Sequence, residues 1–410
     1  MNSNSTGMDM NKISLVFILT VFAGVSFEAG GEELCPKEER WTTGEAEGYV
    51  ETSEEVPGAG ALKVFYRVLR VGDGAKNSAV FVLIPGGPGM AVRNYDFSRW
   101  TAYIPESATV FAVEPRGVGC SRPKGLVAFP GSLLGIGKDA ADIEAVRSYL
   151  FGDDRRVFVW GRGYGGLVAL KYSLNFAEKT ERIIVESPVS AEGYLEGDKF
   201  AKELLGEFFK ENPELKQKYE AKRRSIKEPE KELKLTRLDE YLYEAIMNGG
   251  GSAEISALFD ESFEVELGAP LILQGDEKYQ VDVYLQIFCK EVYPEKALVS
   301  GKRGLFGFSE LCRPYRKTFT ERFSLIDGLT RASRRVLLLS GARNINFPPF
   351  YMKKMGEEIS RYRVFPVIAP KAGSNVLSDN PECAASVVKA FLDGAGWDDI
   401  ERITEGANCK

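Results

Sequence analysis

Apolar residues in this chain fall into short unbroken runs separated by glycine-rich and charged stretches. Val80–Ile84 (VFVLI), Thr109–Val113 (TVFAV), Val157–Trp160 (VFVW), Ile183–Val185, Val336–Leu339 (VLLL) and Val364–Ile368 are such runs. A strand that is apolar throughout is buried on both faces, as in a parallel sheet covered by helices. Ala61–Val71 (ALKVFYRVLRV) instead alternates, which predicts a strand of an antiparallel edge. Between these runs the spacing turns helical. Lys138–Leu150 is apolar at Ala141, Ile143, Val146 and Leu150, Gly165–Phe176 is rich in small residues, and Pro381–Leu392 predicts a terminal helix. Strand alternating with helix implies a doubly wound α/β core.

The stretch from about Glu192 to Arg322 follows another rule. Helical periodicity dominates, as in Phe200-Leu204-Leu205-Phe208 and Leu238-Tyr241-Leu242-Ala245, and the strand-like run Leu271-Ile272-Leu273 is an exception. The Glu/Lys-rich run from Glu211 to Arg237 suits solvated helix faces, with partner recognition as the alternative. These features predict a mostly helical cap inserted over residues 192–325, between core segments 30–191 and 326–410; a separate binding domain is the alternative. Gly249-Gly250-Gly251 is expected to be a flexible joint.

Near the start, Ile13–Phe27 is an apolar stretch preceded by Lys12 and followed by small and acidic residues. It is short for a membrane span and has the layout of a secretory signal peptide over residues 1–29. Export is therefore expected, to the exterior, the periplasm or the secretory-pathway lumen, without stable membrane insertion after cleavage; an amphipathic anchor is the alternative. Six cysteines, Cys35, Cys120, Cys289, Cys312, Cys383 and Cys409, suit disulfides in that setting. Proximity favours Cys289–Cys312 and Cys383–Cys409, leaving Cys35–Cys120, with free buried thiols as the alternative. No Cys-x-x-Cys spacing occurs, so a thiolate zinc site is not expected.

Composition then removes whole classes of chemistry. The formal net charge of −6 gives no electrostatic footprint for nucleic acid. There is no histidine at all. Imidazole is the usual general base and the commonest metal ligand, so Ser–His–Asp, Cys–His and histidine-based metal mechanisms are excluded by counting. Neither a cofactor nor a metal is expected.

Three motifs carry the remaining signal. Pro85-Gly86-Gly87-Pro88-Gly89 follows one apolar run, and Glu114-Pro115-Arg116-Gly117-Val118-Gly119-Cys120-Ser121 follows the next. Gly161-Arg162-Gly163-Tyr164-Gly165-Gly166 joins a strand to a helix, the shape of a Gly-x-Ser-x-Gly nucleophile elbow with glycine where the serine belongs. Together they resemble the proline iminopeptidase and tripeptidyl aminopeptidase branch of the α/β-hydrolases. That branch carries His-Gly-Gly-Pro-Gly, Asp-Gln-Arg-Gly-x-Gly-x-Ser and Gly-x-Ser-x-Gly-Gly in this order. The resemblance covers about residues 60–190 and returns over 326–409.

The resemblance implies an α/β-hydrolase fold with a helical cap, and it places the remaining triad. Asn344, in Val336–Pro349 (VLLLSGARNINFPP), occupies the aspartate position; Ser374, ahead of Asn380-Pro381-Glu382-Cys383-Ala384, occupies the histidine position. Pro85 replaces the first motif's histidine. Nucleophile, orienter and base thus become Gly163, Asn344 and Ser374, which leaves no covalent route. What remains is anion-binding geometry around Gly86, Gly87, Gly163 and Tyr164, with Gly87 and Tyr164 N–H groups in the oxyanion-hole positions. The expectation is a non-catalytic member that binds a peptide, a small carboxylate or, through the cap, a protein partner. One alternative is an active aminopeptidase or esterase with a rebuilt site, for which Asp379 or Glu382 is a candidate base. Another is an interaction protein with a plugged pocket. Tyr164 either fills the vacated space or lines a ligand site, Arg116 braces the loops below, and Cys120 is a disulfide half rather than a relocated nucleophile.

Overall fold

The computed structural model describes residues 35–409, apart from 38, 42–43, 73–77, 94, 228–230, 248–251, 261, 264, 266–279, 294–311, 313–314, 316–322 and 360–362. The expected signal peptide, the Leu271–Leu273 run and the triple-glycine joint lie outside these residues. Contacts divide the chain into Met1–Lys37 and Glu38–Lys410. Of the first unit only residues 35–37 are described, and they form no regular element.

In the second unit the apolar runs become strands. β1 (Arg40–Trp41), β2 (Ala46–Val56), β3 (Gly60–Arg70), β4 (Val80–Ile84), β5 (Thr109–Val113), β6 (Val157–Arg162), β7 (Thr180–Glu186), β8 (Val336–Gly341) and β9 (Val364–Ala369) form one sheet. Its order is β1-β2-β3-β5-β4-β6-β7-β8-β9, parallel from β5 onward and antiparallel before it. β3 is the alternating strand the sequence predicts. Its partner β2 (AEGYVETSEEV) was not legible, because a largely polar strand shows little apolar contrast. β6 and β7 run on past their apolar cores to Arg162 and Glu186, which lie opposite each other in register.

Helices cover both faces. The core helices are α1 (Ser98–Thr101), α2 (Ile136–Phe151), α3 (Tyr164–Asn175), α9 (Leu325–Arg331), α10 (Pro349–Glu358), α11 (Val376–Asp379), α12 (Pro381–Asp393) and α13 (Trp397–Glu405). Local chemistry sets the ends of α12: Asn380 accepts from the Cys383 N–H, Pro381 opens the first turn, and Gly394 closes the helix in the left-handed region. One apolar cluster joins β4, β6 and β7 to α2 and α3, and includes Val82, Val159 and Leu167. The other lies on the opposite face around Trp160, Phe365, Val388 and Phe391.

Between β7 and β8 the described residues form α4 (Ala191–Glu211), α5 (Pro213–Ser225), α6 (Lys231–Met247), α7 (Ser252–Ala257) and α8 (Val281–Ile287), which continues into a π-helical turn, Phe288–Val292. This segment has a small core of its own, in which Phe209, Leu215, Leu238, Leu242 and Ile255 are buried. Cys289–Cys312 and Cys383–Cys409 form disulfides, and Cys35 and Cys120 are each in a disulfide as well. Among the described residues no helix is long and apolar enough to cross a membrane.

Candidate functional site

The C-terminal ends of the parallel strands are where ligands bind in open α/β sheets. β6 ends in a sharp turn here: Gly163 has φ 56° and ψ −120°, and α3 begins at the next residue. Two kinds of glycine make this turn. A Cβ on Gly161 would collide with the Gly165 carbonyl, and one on Gly165 with the carbonyls of Ile84 and Pro85, so strand and helix approach only because both lack side chains. Gly163 is different. Apart from its chain neighbours, the single heavy atom within 4 Å of a Cβ built there is Gly86 Cα, at 3.7 Å. Packing does not forbid a side chain at the apex; the sequence simply supplies none.

The structure brings Gly86 and Gly163 together, and Gly86, Gly87, Arg162 and Gly163 are all half-buried. The Gly163 N–H is already donated to the Glu186 carbonyl at 2.9 Å. The Tyr164 N–H, first in α3, has no acceptor within the helix. The Tyr164 ring, by contrast, runs into the α2–α3 interface, where its hydroxyl donates to Asp139 Oδ2 at 2.8 Å. Only its backbone therefore faces the turn.

The loops below are tied by buried charge. Glu114, fully buried at the end of β5, accepts from the N–H groups of Val92, Arg93 and Cys120 and so holds two loops at once. Burial raises its carboxyl above the usual range, and those backbone donors pull it back down. Arg116 grips Asp142 with two hydrogen bonds of 2.8 and 2.6 Å and Glu54 at 2.5 Å. It is a brace, as the sequence suggests.

Asn344 and Ser374, expected at the other two triad positions, lie on the loops that follow β8 and β9. Asn344 is fully buried, donates to Ser340 Oγ at 3.0 Å and accepts from the Asn346 N–H at 3.1 Å. Its amide is occupied holding its own loop. Ser374 is half-buried beside Gly373, and a Cβ on Gly373 would overlap the carbonyl of Met247 at the end of α6. Cap backbone thus rests on the turn that carries Ser374. Asp379 accepts the Gly373 N–H at 2.8 Å, with its carboxyl raised by burial, and Glu382 is exposed at the start of α12.

Two buried carboxyls escaped sequence reasoning. Glu186, fully buried beside Gly163, completes no hydrogen bond through either oxygen. Burial raises its carboxyl, while the Arg162 charge lowers it. Its only signal was an acidic residue ending an apolar run. Asp139 is nearly buried on α2, and burial pushes it up to about 7. Its spacing to Asp142 reads from sequence as a solvated helix face. Among the described residues no group of acidic or sulfur ligands is placed to hold a metal.

The family profile described as the alpha/beta hydrolase fold matches residues 79–381, well over half of the chain. Over 130 residues the chain is 28% identical to the proline iminopeptidase of Thermoplasma volcanium, a stretch that is 32% of this chain and 40% of that protein. The chain thus spans less than half of that relative. Among solved structures it is similar to the proline iminopeptidase of Mycobacterium smegmatis, with a TM-score of 0.48 and 16% identity over 86% of this chain and 100% of the other. It is similar as well to a serine hydrolase of Cycloclasticus zankles, with a TM-score of 0.45 and 14% identity over 85% of this chain and 98% of the other. On the sequence match, the chain belongs to the α/β-hydrolase fold family.

Proposed function

We propose that this α/β-hydrolase is a non-catalytic binding protein that takes a peptide or small carboxylate at the vacated apex. The observation that carries this reading is Gly163: the turn has nucleophile-elbow shape, space above it, and no side-chain atom to attack with. Without a hydroxyl or thiol there is no acyl-enzyme, and the chain has no histidine to activate one. The surviving features are those of recognition, namely a glycine loop near the apex and a helix N-terminus whose dipole favours negative charge. The disulfides support an oxidising, extracytoplasmic location.

The test is hydrolysis of proline and alanine anilides by purified protein, alongside calorimetric titration with acylated amino acids and short peptides. The reading expects binding heat without turnover. Turnover that vanishes when a residue at the site is replaced would overturn it and favour the rebuilt enzyme. That rival is weakened by the engagement of Asp379 with Gly373. The Met247 backbone lying over Gly373 favours a second reading, an interaction protein whose pocket is closed by its own cap; absence of both heat and turnover is its signature.

A further inference from the structure

The first turn of α2 is completed from the cap. Its N-cap, Gly135, has no side chain to offer, and Glu291 of the π-helical turn accepts the Ile136 N–H through Oε2 at 2.8 Å. A Cβ on Gly135 would meet Glu291 Oε1 at 2.5 Å, so glycine there admits the foreign carboxylate. One turn along, Asp139 is 5% exposed; its Oδ2 accepts from the Tyr164 hydroxyl and its Oδ1 completes no hydrogen bond. Tyr164 directly follows Gly163. A continuous path of contacts therefore runs from cap to α2, to Asp139, to Tyr164 and to the apex.

We propose that Glu291, Asp139 and Tyr164 form a pH-sensitive latch between cap and core, closed on the acid side of neutrality and loosened above it. The groups that face Asp139 from the packed elements are Asp142 on α2, Arg116 from the loop, Tyr164 on α3 and Glu291 from the cap; Lys290 and Lys171 face Glu291. Arg116 is committed to Asp142 and Glu54, and Lys138 to Glu54, so among the described residues no cation is paired with Asp139. Protonated, Asp139 accepts the tyrosine hydroxyl and buries no charge. Ionised, it is a buried anion, repelled by Asp142 and Glu291 and only partly offset by the Arg116 charge.

The direction follows from linkage. Burial pushes Asp139 up to about 7 in the closed arrangement, against an ordinary 3.8 once solvated. The closed state then holds a proton that the open state releases, and closure weakens as pH rises between those values. Relief comes when the π-helical turn withdraws Glu291 from α2 and water reaches Asp139. The latch is independent of the proposed ligand, since it needs neither binding nor turnover at Gly163.

Hydrogen exchange of the full, oxidised chain without ligand tests it, read at pH 5.5 and 8.5 and corrected for intrinsic rates. Residues 281–292 and 136–143 should lose protection about tenfold or more at the higher pH, a change equivalent to one unit of differential titration, while β4 and β6 stay protected. Asp139→Asn should abolish the pH dependence. Tyr164→Phe, which removes a hydrogen bond that lowers Asp139, should move the midpoint upward. Should Asp139→Asn fail to fold, Glu291→Gln keeps an acceptor for Ile136 and removes one of the charges that repel Asp139, and it should diminish the response without abolishing it. Protection unchanged between the two pH values, or an undiminished pH response in the variant that folds, would overturn the latch.

Discussion

Two sets of residues at one edge of the sheet have fared differently. The bracing set, Glu114, Arg116, Asp142 and Glu54, is chemically complete: every buried charge has its counter-ion or its backbone donors. The residues expected at the triad positions carry no comparable set of charges. Gly163 has no side chain, Asn344 is spent on Ser340 and Asn346, and Ser374 lies beside a turn covered by cap backbone. The elbow thus keeps its shape with no side chain at its apex. The turn needs glycines at 161 and 165 and a braced platform beneath; it does not need a nucleophile.

The sharpest break in that comparison is Arg116→Ala. It leaves Asp142 buried without its partner and should cost about 3–5 kcal/mol in urea unfolding. The pH profile of stability comes next. Because Asp139 is raised from 3.8 to about 7, native stability should fall as pH rises between those values, by roughly 1.4 kcal/mol for each unit of separation, and level off above. Asp139→Asn should remove that slope in thermal melts at matched ionic strength.

Within the elbow, Gly161→Ala should cost about 3 kcal/mol, since the new methyl meets backbone. Gly163→Ser has room and should cost only about 1–2 kcal/mol for its positive φ. On the proposed reading it should show no anilide hydrolysis, because neither Asn344 nor Ser374 is a base that could activate the new hydroxyl. At the bottom of the scale, Ser374→Ala should change stability by no more than about 0.5 kcal/mol. A larger loss there would move Ser374 into the bracing set.

Much of this was legible in the sequence because it depends on local pattern. Unbroken apolar runs gave the buried parallel strands from β4 onward, and the helical pattern from Pro381 marked α12. The glycine turn after β6 announced the elbow, and the absence of histidine was plain from composition. What stayed hidden depends on distant partners. β2 is too polar to stand out from a loop, and its pairing with β3 is visible only in space. Asp139 and Glu186 look like surface charges until the helices and strands that bury them are in place. Glu291 caps a helix more than 150 residues before it, a relation with no local signal at all.

The most direct test is the intact mass of the purified, folded protein after exposure to a fluorophosphonate probe. An apex with no nucleophile predicts an unchanged mass in the native chain and in Gly163→Ala alike. An adduct that maps to any serine or cysteine at the strand ends, and that heat unfolding prevents, would contradict the account.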